Sequence, residues 1–292
     1  MKVLVNSLLH PGALPKIKAG ICFKAHLMDT DEKTLPQPVR EFKQDALNVL
    51  VFGSQPEMAQ HAAMEVRQHL MECIASNGSA RVILATGNSQ ITFLKTLIDM
   101  GGVDWSTVTL FHMDEYLGIS SDHKASFRLY MKQRVESLVQ PKAFHYLEGD
   151  ALLPLDECDR YTQLLKEAPI DLCCLGVGEN GHIAFNDPPV AQLDDAHWVK
   201  LVKLDDACKW QQVNEGHFES LETVPPYALT LTIPALCAAR RMICLSPETR
   251  KAKAVQAALE GEIGASCPAS ALRNQPQATL YLDQDSSALL KV

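Results

Sequence analysis

The stretch IDLCCLGVGENGHIAFNDPP, residues 170–189, joins an unbroken apolar run to a loop rich in glycine and polar side chains. A short run that is apolar at successive positions is typical of a strand buried on both faces, as in a parallel sheet covered by helices. Gly176 and Gly178 let the backbone turn sharply where the strand ends. His182 can exchange a proton near neutral pH. The stretch therefore predicts a parallel strand that ends at a reactive loop.

The same pattern repeats on both sides of this stretch, from Asn48 onward, because short apolar runs alternate with amphipathic segments. The predicted strands are 48–53, 81–86, 108–113, 170–177, 197–204, 227–233, 241–246 and 278–283. The predicted helices are 56–78, a segment that follows Ser89, 125–139, 157–168 and 248–261. This alternation predicts an α/β fold with a doubly wound, mostly parallel, Rossmann-like sheet and helices on both faces.

Residues 1–45 differ from the rest, because they contain four prolines and no clean periodicity, so we predict an N-terminal extension followed by a single α/β domain over 46–292. The formal charge of −8 argues against binding to nucleic acid or to an anionic membrane. No apolar run is long enough to span a bilayer. The nine cysteines form no C-x-x-C pair, which favours reduced thiols in a cytoplasmic protein.

Ligands of doubly wound sheets bind at the carboxyl ends of the strands, which selects the loops 86–90, 113–118, 177–188 and 246–251. The first loop opens a helix, where free N–H groups and the helix dipole favour an anion, although Ser89 could simply cap that helix. No Gly-Lys-Ser/Thr follows, so it is not a Walker motif. In the last loop, Arg250 and Lys251 begin a helix, where cations are unfavourable unless an anion is bound; the alternative is a solvated lysine.

The two middle loops carry the groups suited to proton transfer. Asp114 and Glu115 follow a strand directly and are placed to act as general bases, unless they cap a helix or lie in a solvated turn. Around His182, Asn180 and Asp187 are candidates to orient the ring or to bind ligand hydroxyls, although a lone histidine is more often a structural hydrogen-bonding residue. The G-x-G-x-x-G here is not a dinucleotide fingerprint, since no acidic residue ends a matching strand about 20 residues on.

Four segments together closely resemble the glucosamine-6-phosphate deaminase (isomerase) family, which shares its fold with the 6-phosphogluconolactonases. They are TLFHMDEYLGI (109–119), LCCLGVGENGHIAFNDP (172–188), YALTLTIPAL (227–236) and RKAKAVQAALEG (250–261). The resemblance covers about residues 48–285 and leaves the extension outside. It implies cofactor-independent conversion of glucosamine 6-phosphate to fructose 6-phosphate and ammonia, and it implies no metal.

The resemblance also implies roles for individual residues. Asp114 is the base that moves a proton between C2 and C1, and His182 is the acid–base group that opens the sugar ring. Asp187 stands where the family has a glutamate that holds this histidine. The implied substrate- and phosphate-binding residues are Gly87, Asn88, Ser89, Gln90, Lys251, Gln212 and Glu115.

Three positions depart from the family pattern. Asn180 replaces a carboxylate, Asp187 is shorter than the family glutamate, and Gln212 stands near the position of a phosphate-binding arginine. Glu179 could supply the charge missing at Asn180, although neighbouring side chains usually point apart. The segment PPVAQLDDAHW (188–198) has no lysine or arginine, so a family-type allosteric site is not expected.

Two other functions stay open at this point. A 6-phosphogluconolactonase-type hydrolase has the same fold, and a non-catalytic sugar-phosphate sensor would bind without turnover. The substitutions at Asn180 and Gln212 give weight to the sensor, whereas the M-D-E-Y motif favours the deaminase. The expected partner is a small sugar phosphate, and the sequence leaves assembly into a homo-oligomer open.

Overall fold

The computed structural model describes residues 35–291, so most of the predicted N-terminal extension lies outside the described residues. Strand β1 (Arg40–Gln44) pairs antiparallel with β2 (Leu47–Phe52), and Phe42 lies opposite Val49. The boundary predicted at residue 45 is therefore corrected, because the sheet already includes residues 40–44.

Most of the other strands and helices fall close to the predicted segments, but the strands over 114–116 and 143–145 and the helices over 206–214 and 233–237 were not predicted. The strands are β3 (Ala80–Leu84), β4 (Val108–His112), β5 (Asp114–Tyr116), β6 (Ala143–His145), β7 (Leu172–Gly176), β8 (Val199–Lys203), β9 (Tyr227–Leu231), β10 (Arg241–Leu245) and β11 (Ala278–Asp283). The α-helices are α1 (Gln55–Asn77), α2 (Asn88–Asp99), α3 (Phe127–Met131), α4 (Ser137–Val139), α5 (Pro154–Lys166), α6 (Asp206–Asn214), α7 (Ile233–Cys237) and α8 (Ala252–Glu260).

The main sheet has eight strands in the order β1-β2-β11-β10-β7-β3-β4-β6, and every pairing in it except β1–β2 is parallel. Side chains of successive residues on β7 enter different hydrophobic cores, with Leu172 and Cys174 on one face and Cys173 and Leu175 on the other. Because both faces are covered, each central strand must be apolar throughout, which is the pattern seen in the sequence. The predicted doubly wound α/β fold is confirmed.

Two predicted strands belong to a second sheet and not to the main one. Strands β8 and β9 pair antiparallel with each other, and β9 pairs antiparallel with β5. In β8, the buried Val199 and Val202 are separated by the half-buried Lys200 and by Leu201, which is 37% exposed. Val199 packs into one core and Val202 into another, so each face of β8 buries one of its residues and the strand lacks the continuous apolar run of the central strands. This small sheet covers a third core around Tyr116.

Two predicted helices are less regular than expected. The helix predicted over 125–139 contains a π-helical segment, Lys132–Glu136, between α3 and α4. The helix predicted over 248–261 begins with a 3-10 turn, Thr249–Lys251, before α8. Segments of this kind often occur at functional sites, and the 3-10 turn adjoins one of the four loops selected above.

Candidate active site

The four predicted loops meet at one cavity at the carboxyl ends of β3, β4, β7 and β10, near the middle of the main sheet. From these loops the cavity is lined by Ala85, Thr86, Gly87, Asn88, Ser89, Met113, Asp114, Gly176, Val177, Gly178, His182, Ala184, Phe185, Arg250 and Lys251. This is where ligands of doubly wound proteins bind, because the strand ends and helix starts open toward the same space.

The loop after β3 presents an uncapped helix start to the cavity. Gly87 is the N-cap of α2 with φ of +100°, a conformation that favours glycine, and no side chain caps the helix. The reading of Ser89 as a simple cap is therefore not supported. The hydroxyl of Tyr130 donates to the Gly87 carbonyl at 3.0 Å and fixes the loop. Backbone N–H groups at such a helix start are suited to an anion.

Gln90 requires a correction, because its side chain does not line the cavity. It is fully buried, and its Nε2 donates to Ser89 Oγ at 3.1 Å and to the Leu175 carbonyl at 3.5 Å. Gln90 therefore ties α2 to the end of β7. Its predicted contact with phosphate is replaced by a role in holding Ser89.

The two basic residues of the last loop have different environments. Arg250 is held by three carboxylates: its Nη1 lies 3.1 Å from Glu179 and 2.5 Å from Glu215, and its Nε lies 2.7 Å from Glu248. Lys251 is only 3% exposed and, among residues 35–291, its ammonium has no ion-pair partner. Burial, and next the charge of Arg250, lowers the pKa of Lys251 to about 8. A bound anion would remove this unfavourable arrangement.

Asp114 is a buried carboxyl in the cavity wall. Its backbone is fixed as the first residue of β5, opposite Thr230 of β9. The side-chain Oδ1 is inaccessible to solvent and accepts no hydrogen bond within the described part of the chain. Burial, followed by the charges of Glu115 and Asp187, raises the pKa of Asp114 well above its usual range. A carboxylate with a raised pKa is a stronger base when it is ionised.

Glu115, predicted to contact the substrate, points away from the cavity and is fully buried. It accepts hydrogen bonds from Ser126 Oγ at 2.7 Å and from the backbone N–H groups of Phe127 and Arg128 at 3.2 and 3.0 Å. Its Oε2 also lies 3.4 Å from Arg128 Nε. The assignment of Glu115 to the substrate is therefore corrected: this residue anchors the start of α3, whose later residues line the cavity.

His182 is held by the two polar residues that the sequence analysis selected. Its Nδ1 lies 2.7 Å from Asn180 Oδ1 and 2.9 Å from Asp187 Oδ1. Both atoms accept, so Nδ1 carries a proton, and in the neutral ring Nε2 is the acceptor. Burial opposes the ionised form of Asp187, but hydrogen bonds from His182 and Asn180 outweigh it and hold its pKa below the usual range. Asp187 and Asn180 stand behind the ring and do not line the cavity.

Asn180, and not Glu179, is the neighbour that contacts His182. Asn180 faces His182, accepting from both its backbone N–H and its ring, and donates through Nδ2 to Asp187 at 3.0 Å. Glu179 points elsewhere and pairs with Arg250. Glu179 therefore does not supply a charge to the histidine.

Gly178 permits the position of the imidazole. A Cβ atom at this residue would overlap Cε1, Nε2 and Nδ1 of His182. The backbone carbonyl of His182 also accepts from the Gly178 N–H at 2.9 Å. The loop needs glycine here because the ring lies directly against the backbone.

Several cavity residues come from segments that the sequence analysis did not select. From the segment 124–134 these are Lys124, Ala125, Ser126, Phe127, Leu129, Tyr130, Gln133 and Arg134, and from the segment 211–217 they are Gln211, Gln212, Glu215 and His217. Among them, Gln212 alone was predicted. The guanidinium of Arg134 lies over the ring of Tyr130, 4.6 Å from its centre. The sequence did indicate a helix over 125–139, soon after the carboxyl of Asp114. Its periodicity did not show which of its side chains would face the cavity.

One group of side chains at this site has the composition of a metal site. Ligand atoms of His182, Asp187 and Cys208 all lie within 4.8 Å of one another, and all three residues are buried. Cys208 belongs to α6 and was not selected from the sequence. The expectation of no metal rested on the family resemblance alone.

The cavity combines a helix start and a buried lysine, suited to an anion, with a carboxyl and a histidine, suited to proton transfer. This defines an α/β protein with an acid–base site beside an anion site. A family model described as glucosamine-6-phosphate isomerases/6-phosphogluconolactonase matches residues 53–281, and the chain belongs to this family. The resemblance inferred from the motifs is confirmed.

Individual relatives agree with the family match. A glucosamine-6-phosphate deaminase of Bacillus cytotoxicus is 33% identical over 244 residues, covering 83% of this chain and 89% of the relative. One of Listeria innocua is 35% identical over 207 residues, covering 71% and 86%. A solved monomeric glucosamine-6-phosphate deaminase is 29% identical with a TM-score of 0.77, covering 83% and 99%.

Solved 6-phosphogluconolactonases share the fold at lower identity. The enzyme from Shewanella baltica is 18% identical with a TM-score of 0.66, covering 80% of this chain and 96% of that structure. At this identity the similarity concerns the fold alone. Among residues 35–291, no helix is both long and apolar enough to cross a membrane.

Proposed function

We propose that the protein is an enzyme that converts glucosamine 6-phosphate and water to fructose 6-phosphate and ammonia. The curated relatives at 32–35% identity are named glucosamine-6-phosphate deaminases. The observation that carries the proposal is the buried carboxyl of Asp114, whose Oδ1 accepts no hydrogen bond from residues 35–291, in the same cavity as His182. Isomerisation needs a base at the sugar carbons besides the group that opens the ring, and the two residues provide both.

The phosphate is bound at the start of α2. Backbone N–H groups near Gly87, Asn88 and Ser89, with the helix dipole, face the cavity together with the ammonium of Lys251. Gln212 is 6% exposed and lines the same cavity. It offers the phosphate a neutral amide, which binds an anion more weakly than the guanidinium of an arginine would. Arg250 is paired with Glu179, Glu215 and Glu248, and orders the loop without a free charge for the ligand.

His182 opens the sugar ring by giving a proton to the ring oxygen and later accepting it back. Asp187 stabilises the imidazolium, since its carboxylate lies 2.9 Å from Nδ1. Asn180 fixes the ring orientation through its bond to the same nitrogen. Because both partners hold Nδ1, Nε2 is the atom that exchanges the proton with the substrate.

Asp114 then removes the proton from C2 and delivers it to C1, which leaves an imine at C2. Water adds to this carbon, and ammonia leaves to give the ketose. Burial and two nearby carboxyl groups, those of Glu115 and Asp187, raise the pKa of Asp114. The ammonium of a bound amino sugar stabilises the ionised form of Asp114, so the substrate itself prepares the base. These steps are proton transfers and a water addition, and we infer that they proceed without a cofactor.

We place this activity in the cytoplasm. The eight cysteines within the described residues are all unpaired thiols, and six of them are buried. A chain with this many unpaired thiols suits a reducing compartment.

Release of ammonia from glucosamine 6-phosphate tests the proposal. We expect turnover by the wild-type protein and a loss of at least about a hundredfold in Asp114→Asn, which keeps the shape and removes the base. Exchange of the C2 proton with heavy water should be lost in that variant while substrate still binds.

The same assay separates the two alternatives. Hydrolysis of 6-phosphogluconolactone without ammonia release would indicate the hydrolase. Binding of glucosamine 6-phosphate without consumption would indicate the sensor. Normal C2 exchange in Asp114→Asn would remove Asp114 from its assigned role.

A further inference from the structure

The interior of the acid–base site contains a sulfur, a nitrogen and an oxygen donor in close proximity. Ligand atoms of Cys208, His182 and Asp187 lie within 4.8 Å of one another, and the Nδ1–Oδ1 pair is separated by 2.9 Å. In a tetrahedral zinc site with bonds of about 2.0–2.3 Å, the ligand atoms are roughly 3.3–3.8 Å apart. The 2.9 Å pair and the 4.8 Å limit of the cluster lie on either side of this spacing.

We propose that this cluster is an inhibitory site for a borderline-soft divalent cation of the zinc class. Thiolate and imidazole donors select zinc and cobalt over magnesium and calcium, which prefer sets of oxygen donors. The proposal concerns regulation of the site described above, and its inhibitory consequence rests on the proposed function.

The charges of the cluster suit a buried dication. Cys208, Asp187 and His182 are 1%, 0% and 9% exposed. A bare dication in such surroundings would be very unfavourable, but one thiolate and one carboxylate neutralise it. In the binding step, the metal–sulfur bond replaces the S–H bond and the thiol proton goes to solvent. The imidazole proton moves from Nδ1 to Nε2, so that Nδ1 can bind the ion.

The fourth position of the ion can be filled by the loop or by a water molecule. Asn180 Oδ1 already lies 2.7 Å from His182 Nδ1 and offers a carbonyl oxygen. His182 lines the cavity and the other members of the cluster do not, so entry of the ion from the cavity requires movement of the His182 ring. Three protein donors and one exchangeable position are the usual arrangement of an accessible zinc site.

Occupation of the site would remove two groups from the proposed reaction. The ion takes Nδ1 of His182 and the carboxylate of Asp187, so the carboxylate no longer stabilises the imidazolium. The metal-bound ring keeps a proton on Nε2 but can no longer form the imidazolium, so it is a much weaker acid toward the ring oxygen. We therefore expect zinc to inhibit the reaction without competing with the substrate phosphate for the start of α2.

Cobalt binding to the metal-free protein tests the site directly, and the measurement does not depend on an activity assay. We expect one Co²⁺ per chain and the near-ultraviolet absorption of a thiolate–cobalt bond, which zinc then displaces. In Cys208→Ser this absorption should disappear and the affinity for Co²⁺ should fall at least about tenfold. The matched control is Cys73→Ser, because the Sγ of Cys73 lies 3.6 Å from Nε2 of His69, another cysteine–histidine pair.

X-ray absorption of the wild-type cobalt complex keeps the test independent of any variant. One sulfur with two or three nitrogen or oxygen donors supports the site, and a shell without sulfur overturns it. Retention of the absorption in Cys208→Ser with its loss in Cys73→Ser would also overturn it.

Zinc inhibition of ammonia release forms the second arm, with each variant compared with its own metal-free rate. We expect at least about tenfold more zinc to be needed for half-inhibition of Cys208→Ser. If the metal-free protein releases no ammonia, the proposed function fails while the cobalt result still decides the metal site. If cobalt binds as expected but zinc leaves ammonia release unaffected, the inhibitory role is refuted.

Discussion

Replacing Lys251 by methionine should stabilise the free protein and weaken phosphate binding. Lys251 is 3% exposed, and burial with the charge of Arg250 lowers its pKa from 10.5 to about 8. A depression of this size corresponds to about 3 kcal/mol of unfavourable free energy when the side chain is charged in the folded state. Methionine has nearly the same length and no charge. At pH 7 we therefore expect Lys251→Met to raise the free energy of unfolding by up to about 3 kcal/mol.

The pH dependence of this difference has a defined sign. Because the folded pKa of Lys251 is the lower one, the unfolded chain binds more protons between about pH 8 and pH 10.5. The wild-type free energy of unfolding rises across this window, and the Lys251→Met variant lacks this contribution. The advantage of the variant should be full below about pH 8 and decrease as the pH rises toward 10.5.

Urea denaturation of wild type and variant from pH 7 to pH 10 measures this effect, with Lys253→Met as control. Lys253 lies on the same helix, α8, and is exposed. Adding inorganic phosphate should stabilise the wild type more than Lys251→Met, because a ligand stabilises the form that binds it. Loss of one charge-assisted contact costs roughly 1.5–3 kcal/mol, so KM for the sugar phosphate should rise at least about tenfold.

Two results would refute this reasoning. A stability difference that is constant from pH 7 to pH 10 would mean that Lys251 is not a destabilised cation in the folded protein. An unchanged KM would mean that its ammonium does not bind the phosphate.

Three further predictions concern the histidine loop and the cavity rim. In Asn180→Asp, the limb of the pH–rate profile governed by His182 should move to higher pH, since a carboxylate stabilises the imidazolium. Loss of the hydrogen bond to Asp187 should lower the free energy of unfolding by about 1–3 kcal/mol. An unmoved pH–rate profile would contradict the first expectation. Gly178→Ala should reduce kcat at least about tenfold and lower Tm, because the new methyl overlaps the ring; unchanged kinetics would show that the ring has room to move. Arg134→Gln should raise KM about fivefold with kcat unchanged, as loss of about 1 kcal/mol of phosphate attraction predicts, whereas a change in kcat alone would place Arg134 outside phosphate binding.

The six inner strands of the main sheet were predictable because burial on both faces leaves a clear mark on a sequence, whereas the edge strands β1 and β6 were not predicted. Each residue of β7 must be apolar when Leu172 and Cys173 enter different cores. Strands β8 and β9 of the small sheet were predicted, but β5 and the separate sheet that the three strands form were not. The apolar residues of β8 and β9 indicate strand conformation. Their pairing with β5 depends on the direction that the chain takes after β4, which is set by the tertiary structure.

Among the site residues, those at strand ends were predictable and most of those that face the site from helices were not. Asp114 and His182 follow apolar runs, and the fold rule places such positions together. The direction of a side chain in a loop has no such rule. Glu115 and Gln90 stand next to cavity residues in the sequence, yet both point away and hold the backbone. Arg134 projects toward the cavity from a helix interrupted by a π-helical segment, which shifts the face it presents.

The sequence by itself determined the α/β class, the family and the four loops, because these depend on local apolar runs, glycines and short motifs. Only the tertiary structure decided that Asn180 rather than Glu179 faces His182, that Arg250 is neutralised while Lys251 is not, and that Cys208 joins the acid–base cluster. These outcomes depend on contacts between residues far apart in the chain. Charge and burial at each side chain are set by the neighbours that folding brings within a few ångströms, and that information is distributed over the whole fold.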